Sequence, residues 1–120
     1  MRDQERLRSV EPARPAMSGK VLVIGTAFLV TGAAWALMSF YQFVGGKQPV
    51  GLLDLLLAVI HVFAGLLLYR RVPYSVPLGL VVVLLGLAAA FLNAYLFLLV
   101  PDGLTGLLLL IGHREWSRRA

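Results

Sequence analysis

The sequence predicts an all-α integral membrane protein: a four-helix bundle with a short fourth helix, arranged as two tandem helical hairpins. Three observations carry that expectation. Of the 120 residues, 59% are hydrophobic, and the mean hydropathy is +0.83, above what an ordinary soluble domain shows. The apolar residues form long blocks, not the interrupted stripes of amphipathic helices. The basic residues sit on one side of those blocks. Arg2, Arg6, Arg8, Arg14 and Lys20 precede the first, Arg70 and Arg71 follow the second, and Arg114, Arg118 and Arg119 follow the last. Only Lys47 falls in a loop that faces the other way. Such asymmetry implies a multi-pass protein of the cell membrane with both termini cytoplasmic.

Residues 1–19 mix both charge signs with Pro12 and Pro15 and contain few apolar residues. A disordered basic cytoplasmic tail is expected there, followed by one transmembrane bundle over 20–120. The first span is predicted over 21–44. Ala34-Trp35-Ala36 has the small-x-small form of a cleavage site, but the apolar run continues to Val44. That is longer than a signal sequence needs, so an uncleaved span is expected. Gly45 to Pro49 reads as a turn.

The second span is predicted over 51–69, stopping at Arg70-Arg71. The third is predicted over 76–100, with Pro77 in its first turn, where its missing N–H costs little. Pro101-Asp102-Gly103 then reads as a tight turn. The fourth span, 103–117, would cover only about 21 Å at helical rise, short of the roughly 30 Å of a hydrocarbon core. A re-entrant segment is the competing reading. Charge decides for a crossing, because three spans would leave Arg114, Arg118 and Arg119 outside. A duplication is also legible: Asp54 and Asp102 each open the second helix of a pair, and each is followed sixteen residues later by Arg-Arg.

One seam of spacing recurs on three helices. Offsets of 0, 4, 7, 11 and 14 give Gly25, Leu29, Gly32, Ala36 and Ser39 in the first. They give Asp54, Ala58, His61, Gly65 and Leu68 in the second, and Gly79, Val83, Gly86, Ala90 and Asn93 in the third. Residues so spaced share a helix face, and small residues permit close approach where lipid gives no drive to associate. Gly25, Gly32, Ala36, Ala58, Gly65, Gly79, Gly86 and Ala90 are therefore the expected packing positions. The same seam turns Asp54, His61 and Asn93 inward, which makes them the candidate intramembrane polar site.

For His61 a structural hydrogen bond across the bundle is favoured over a proton relay or ion site. Asp54 fits a helix-start residue complementing the dipole. Haem ligation by His61 and His113 is disfavoured, since His113 adjoins Arg114 and Glu115. No cofactor and no metal are expected, and the absence of cysteine removes thiolate chemistry within the chain. Ser39, His61 and Asp54 have the residue types of a hydrolytic triad, but Asp54 and His61 stand about 10 Å apart along one helix. No catalytic residue is assigned. A net charge of +5 and a pI near 10.3 point to lipid headgroups, not nucleic acid, because the charges flank hydrophobic blocks.

The ordering of spans and the run L-L-D-L-L-L-A-V-I-H-V-F-A-G-L-L-L at 52–68 resemble small four-helix integral membrane proteins of unknown function. In some of these a polar residue and a histidine open the second helix, and a glycine follows the histidine, as Gly65 follows His61 here. Their fourth-helix histidine has no match, Thr105 or Gly106 standing in its place. The resemblance implies a fold and no activity.

Two functional readings follow. The leading one is a structural or accessory membrane protein, packing with itself or with a larger membrane complex in the lipid bilayer. The other is a homo-oligomeric small-solute or ion transporter or channel with a polar path near Asp54, His61 and Asn93.

Overall fold

A computed structural model describes residues 19–117. The expected tail lies outside the described residues apart from Gly19, as do Arg118 and Arg119. The described chain is helical throughout, without strands. Its helices are α1 (Gly19–Val44), α2 (Gln48–Tyr69), α3 (Ser75–Leu92), α4 (Leu96–Gly112) and the single turn α5 (Arg114–Ser117). The first three are long and apolar enough to cross a membrane, and α4 is a shorter apolar helix. Large apolar side chains such as Leu37, Phe40, Leu84 and Ile111 cover the outside. That is the surface a hydrocarbon solvent calls for.

Short links make successive helices antiparallel neighbours, and α4 returns to pack on α1, closing a four-helix ring. All three links end their helix in the same way, with a residue in the left-handed region one step past the cap. Gly46 (φ 79°), Arg71 (φ 55°) and Ala94 (φ 58°) hold these positions. At each, two backbone N–H groups turn back onto the last carbonyls, as in Lys47 N–H to Gln42 and Tyr95 N–H to Ala90. This paired closure satisfies carbonyls that a helix end leaves open.

The third link corrects the expected boundaries. The third helix ends at Leu92, not at 100, and Pro101-Asp102-Gly103 is not a turn but part of α4. No glycine marks the real turn, because Ala94 takes the left-handed position glycine usually holds. Pro101 sits in the second turn of α4, where it forgoes only the bond to the Phe97 carbonyl. The second helix likewise starts at Gln48, with Pro49 in its first turn. Alanine in the left-handed region is strained by about 1–2 kcal/mol. Ala94 is exposed, so Ala94→Gly is expected to stabilise the fold by up to about 1 kcal/mol, the rest being offset by greater freedom of the unfolded chain. Thermal melts in detergent measure this, and a lowered midpoint would contradict the strain argument.

The two hairpins match at an offset of 48 residues. Gly46 aligns with Ala94, Gln48 with Leu96, and Asp54 with Asp102, and both aspartates are fully buried. Their packing does not follow that alignment. Asp54 meets Tyr95, and His61 meets Asp102, each pair 41 residues apart. So α4 sits seven residues, or about 10 Å, further along the bundle axis than the duplication implies. The third helix ends at Leu92, well before the expected residue 100, and α4 starts from there.

Close backbone approach joins α1 to α2. A Cβ on Gly65 would lie 3.0 Å from the Gly25 carbonyl oxygen, and one on Gly32 would lie 3.1 Å from that of Ala58. On α3, Gly79 faces Leu109, Phe28 and Leu68, and Gly86 abuts the Asp102 carboxylate. Ala58 and Ala90 are buried in one core cluster. Ala36 departs from the expected seam: it is exposed, and its neighbour Trp35 points inward. The inward face of α1 carries Phe28, Thr31, Trp35, Ser39 and Gln42 beside the buried Gly25 and Gly32, so the seam turns inward at Gly25, Gly32 and Ser39 and departs from that face at Ala36. At the other end, α5 buries Trp116, whose Nε1 donates to the Leu68 carbonyl at 3.1 Å.

Candidate functional site

Heptad spacing stacks the interior in layers. On α1 the inward positions Gln42, Trp35 and Phe28 are seven apart. On α2 so are Asp54, His61 and Leu68, and on the fourth helix with its cap so are Tyr95, Asp102 and Leu109. The layer nearest the Gly45–Lys47 link, termed the outer layer for its place at that end of the bundle, joins Gln42, Tyr95 and Asp54: Gln42 Nε2 donates to the Tyr95 hydroxyl at 2.7 Å, which donates to Asp54 Oδ2 at 3.3 Å. The middle layer joins Trp35, Asp102 and His61. The third is apolar, with Phe28, Leu68 and Leu109 meeting around Gly79.

The middle layer binds its polar groups on all sides. His61 and Asp102 are both fully buried, with His61 Nε2 and Asp102 Oδ1 2.6 Å apart. Trp35 Nε1, which can only donate, fills Asp102 Oδ2 at 2.8 Å. His61 Nδ1 lies 2.6 Å from the Leu57 carbonyl. A carbonyl can only accept, so Nδ1 carries a proton. Nε2 and Oδ1 therefore share one further proton, and the pair is neutral overall whichever atom holds it. That neutrality is what makes an acid and a base tolerable at this depth. The imidazole lies between two aromatic rings, stacked on Trp35 (centroids 6.3 Å, 28° between planes) and tilted against Phe28 at 6.3 Å.

Secondary polar contacts brace these layers. Thr31 and Thr105 hydroxyls lie 3.0 Å apart, and Thr105 also donates to the Pro101 carbonyl at 2.7 Å, one turn back. Ser39 Oγ donates to the Gly51 carbonyl at 2.7 Å, tying α1 to α2.

Of the three polar residues expected to converge, Asp54 and His61 are buried in successive layers. Asn93 is not with them. It caps α3, half-buried, and its side chain donates to the Ala89 carbonyl of its own helix at 2.8 Å. The early end of α3 is the reason. The triad types are not assembled either, since Ser39 is engaged with Gly51 and His61 pairs with Asp102. The two histidines do not face one another: His113 is exposed and bonds the Leu110 carbonyl. Among the described residues no three His, Cys, Asp or Glu side chains form a cluster that could hold a metal.

Sequence reasoning missed Asp102, Trp35 and Gln42 as partners. The duplication held the signal for Asp102, because a buried Asp54 implies a buried counterpart.

If the His61–Asp102 bond is chiefly structural, His61→Gln and His61→Leu should separate clearly. Glutamine keeps a donor for Asp102 and loses the Leu57 contact, at about 1 kcal/mol. Leucine leaves the Asp102 oxygen buried and unpaired, at about 3–5 kcal/mol. Equal losses in a detergent unfolding titration would mean that Asp102 gains nothing from the imidazole. No protein family, curated protein or solved structure matches the chain.

Proposed function

We propose that this is a multi-pass protein of the cell membrane, crossing four times with both termini cytoplasmic, and serving as a structural or accessory component. It packs with itself or with a larger membrane complex. One observation carries the reading: the interior polar groups bond mainly to one another and stop at the Phe28–Leu68–Leu109 layer. The apolar layer breaks the run of polar groups along the interior of one copy, and an apolar constriction holds a pore closed by dewetting. The outer surface is what remains for interaction, and it is grooved. A groove of about 460 Å³ between α1 and α2 is lined by apolar side chains, among them Leu29, Ala33, Ala36, Leu55, Val59 and Val62.

The orientation rests on the ten basic residues that share one side. Topology reporters fused after Gly46 and after Ala120 should report opposite sides. An outside signal at Ala120 would leave three crossings. For the role itself, the protein reconstituted in liposomes should pass neither protons nor small ions, while crosslinking in intact membranes should capture it with itself or with a defined neighbour. The transporter reading draws on Asp54, which has one unpartnered carboxylate oxygen. Flux through liposomes that Asp54→Asn abolishes would replace the accessory reading with it.

A further inference from the structure

The outer layer differs from the middle one in a chemically informative way. Asp102 has both carboxylate oxygens filled, at 2.6 and 2.8 Å. Asp54, its counterpart in the first hairpin, is equally buried, yet only Oδ2 is met, by the long Tyr95 bond of 3.3 Å. Oδ1 has no partner. No cation compensates it, as Asp54 is in no ion pair among the described residues.

The groups facing Asp54 can be named helix by helix. From α1 comes the Gln42 amide, already donating to Tyr95. From the start of α4 comes the Tyr95 phenol. One layer deeper, His61 of α2 and Asp102 of α4 are occupied with each other. At the end of α3 the Asn93 amide is turned to Ala89. Lys47, at the cap of α2, is exposed and two turns away. An ionised carboxylate with a bare oxygen is the least tolerable group a bundle interior can hold, and such groups neutralise.

We propose that Asp54 is a proton-binding site, sitting in the outer layer as a neutral acid that exchanges its proton with the medium. The proton resides on Oδ1, because Oδ2 already accepts the Tyr95 hydroxyl. Exchange occurs from the Lys47 side, since the Trp35–Asp102–His61 layer and the apolar layer below it block the other route. The inference does not depend on the accessory role, since a proton can be bound without being transported.

Infrared spectroscopy of the full chain in lipid tests it through the C=O stretch of a protonated carboxyl. A component of the band should be present at neutral pH, fade as pH rises, be lost in Asp54→Asn and survive in Asp102→Asn. Absence of the band in the parent, or a band of unchanged intensity in Asp54→Asn, overturns the proposal. If Asp54→Asn does not fold, labelling of the parent with a hydrophobic carbodiimide, which attacks protonated carboxyls, serves instead. Peptide mapping should place the label on Asp54, with a yield that falls several-fold as pH rises. No label at Asp54, or protection by sodium at fixed pH, which marks a cation site, refutes it.

Discussion

Asp102→Ala is expected to cost about 3–5 kcal/mol, the loss seen when one member of a buried charged pair is removed. The substitution strips two groups of their partner and leaves a space unfilled. His61 Nε2 loses its only partner, Trp35 Nε1 is left as a buried donor, and the methyl side chain cannot fill the carboxylate's place beside Gly86. Asp102→Asn is the informative control. Its amide keeps an oxygen for Trp35 and a donor for a neutral His61, so about 1–2 kcal/mol should suffice. Denaturant titration in mild detergent reads both values. Equal costs for Ala and Asn would show that volume, not hydrogen bonding, is what Asp102 supplies.

Gly86→Val should be comparably severe, on the order of 3 kcal/mol. Overpacking a tight contact costs about 1–3 kcal/mol by itself. Here any Cβ collides with the Asp102 carboxylate, so separating α3 from α4 also disturbs the bonds to His61 and Trp35. Leu84→Val, on the outward face of the same helix at 65% exposure, should change stability little. A double-mutant cycle sharpens the test: in an Asp102→Ala background, Gly86→Ala should cost less than in the parent, because the atoms it would strike are gone. Additivity of the two would mean that they do not meet.

These two variants bear on how the interior works. Polar side chains in a lipid-exposed bundle add directional links that apolar packing lacks. The middle layer joins α1, α2 and α4 through Asp102, and Gly86 lets α3 approach the same carboxylate. One residue therefore touches all three other helices of the ring. The outer layer repeats the plan with weaker contacts and an incompletely bonded acid, Asp54, and that asymmetry is what the proton-binding proposal rests on.

The helical class, the number of apolar segments and the inward turn of Asp54 and His61 were legible in the residues, because hydropathy and i, i+3, i+4 spacing act locally. The small-residue seam was legible for the same reason at Gly32, Gly65, Gly79 and Gly86. At Ala36 it failed. Spacing names a face but not which of two adjacent residues at its edge turns inward, and the hydrogen bond from Trp35 to Asp102 decided that for α1.

By itself, then, the sequence determined the periodicities: apolar blocks, basic residues clustered between them, heptad spacing and a doubled hairpin. Only the tertiary structure decided the register between helices. A turn at Ala94 that lacks glycine ends α3 early, and α4, about one heptad from the register the duplication implies, carries Asp102 from an expected loop into contact with His61. Spacing along one helix says nothing of axial offset against another. That offset comes from packing and from where a link closes, and here both depend on residues distant in the chain.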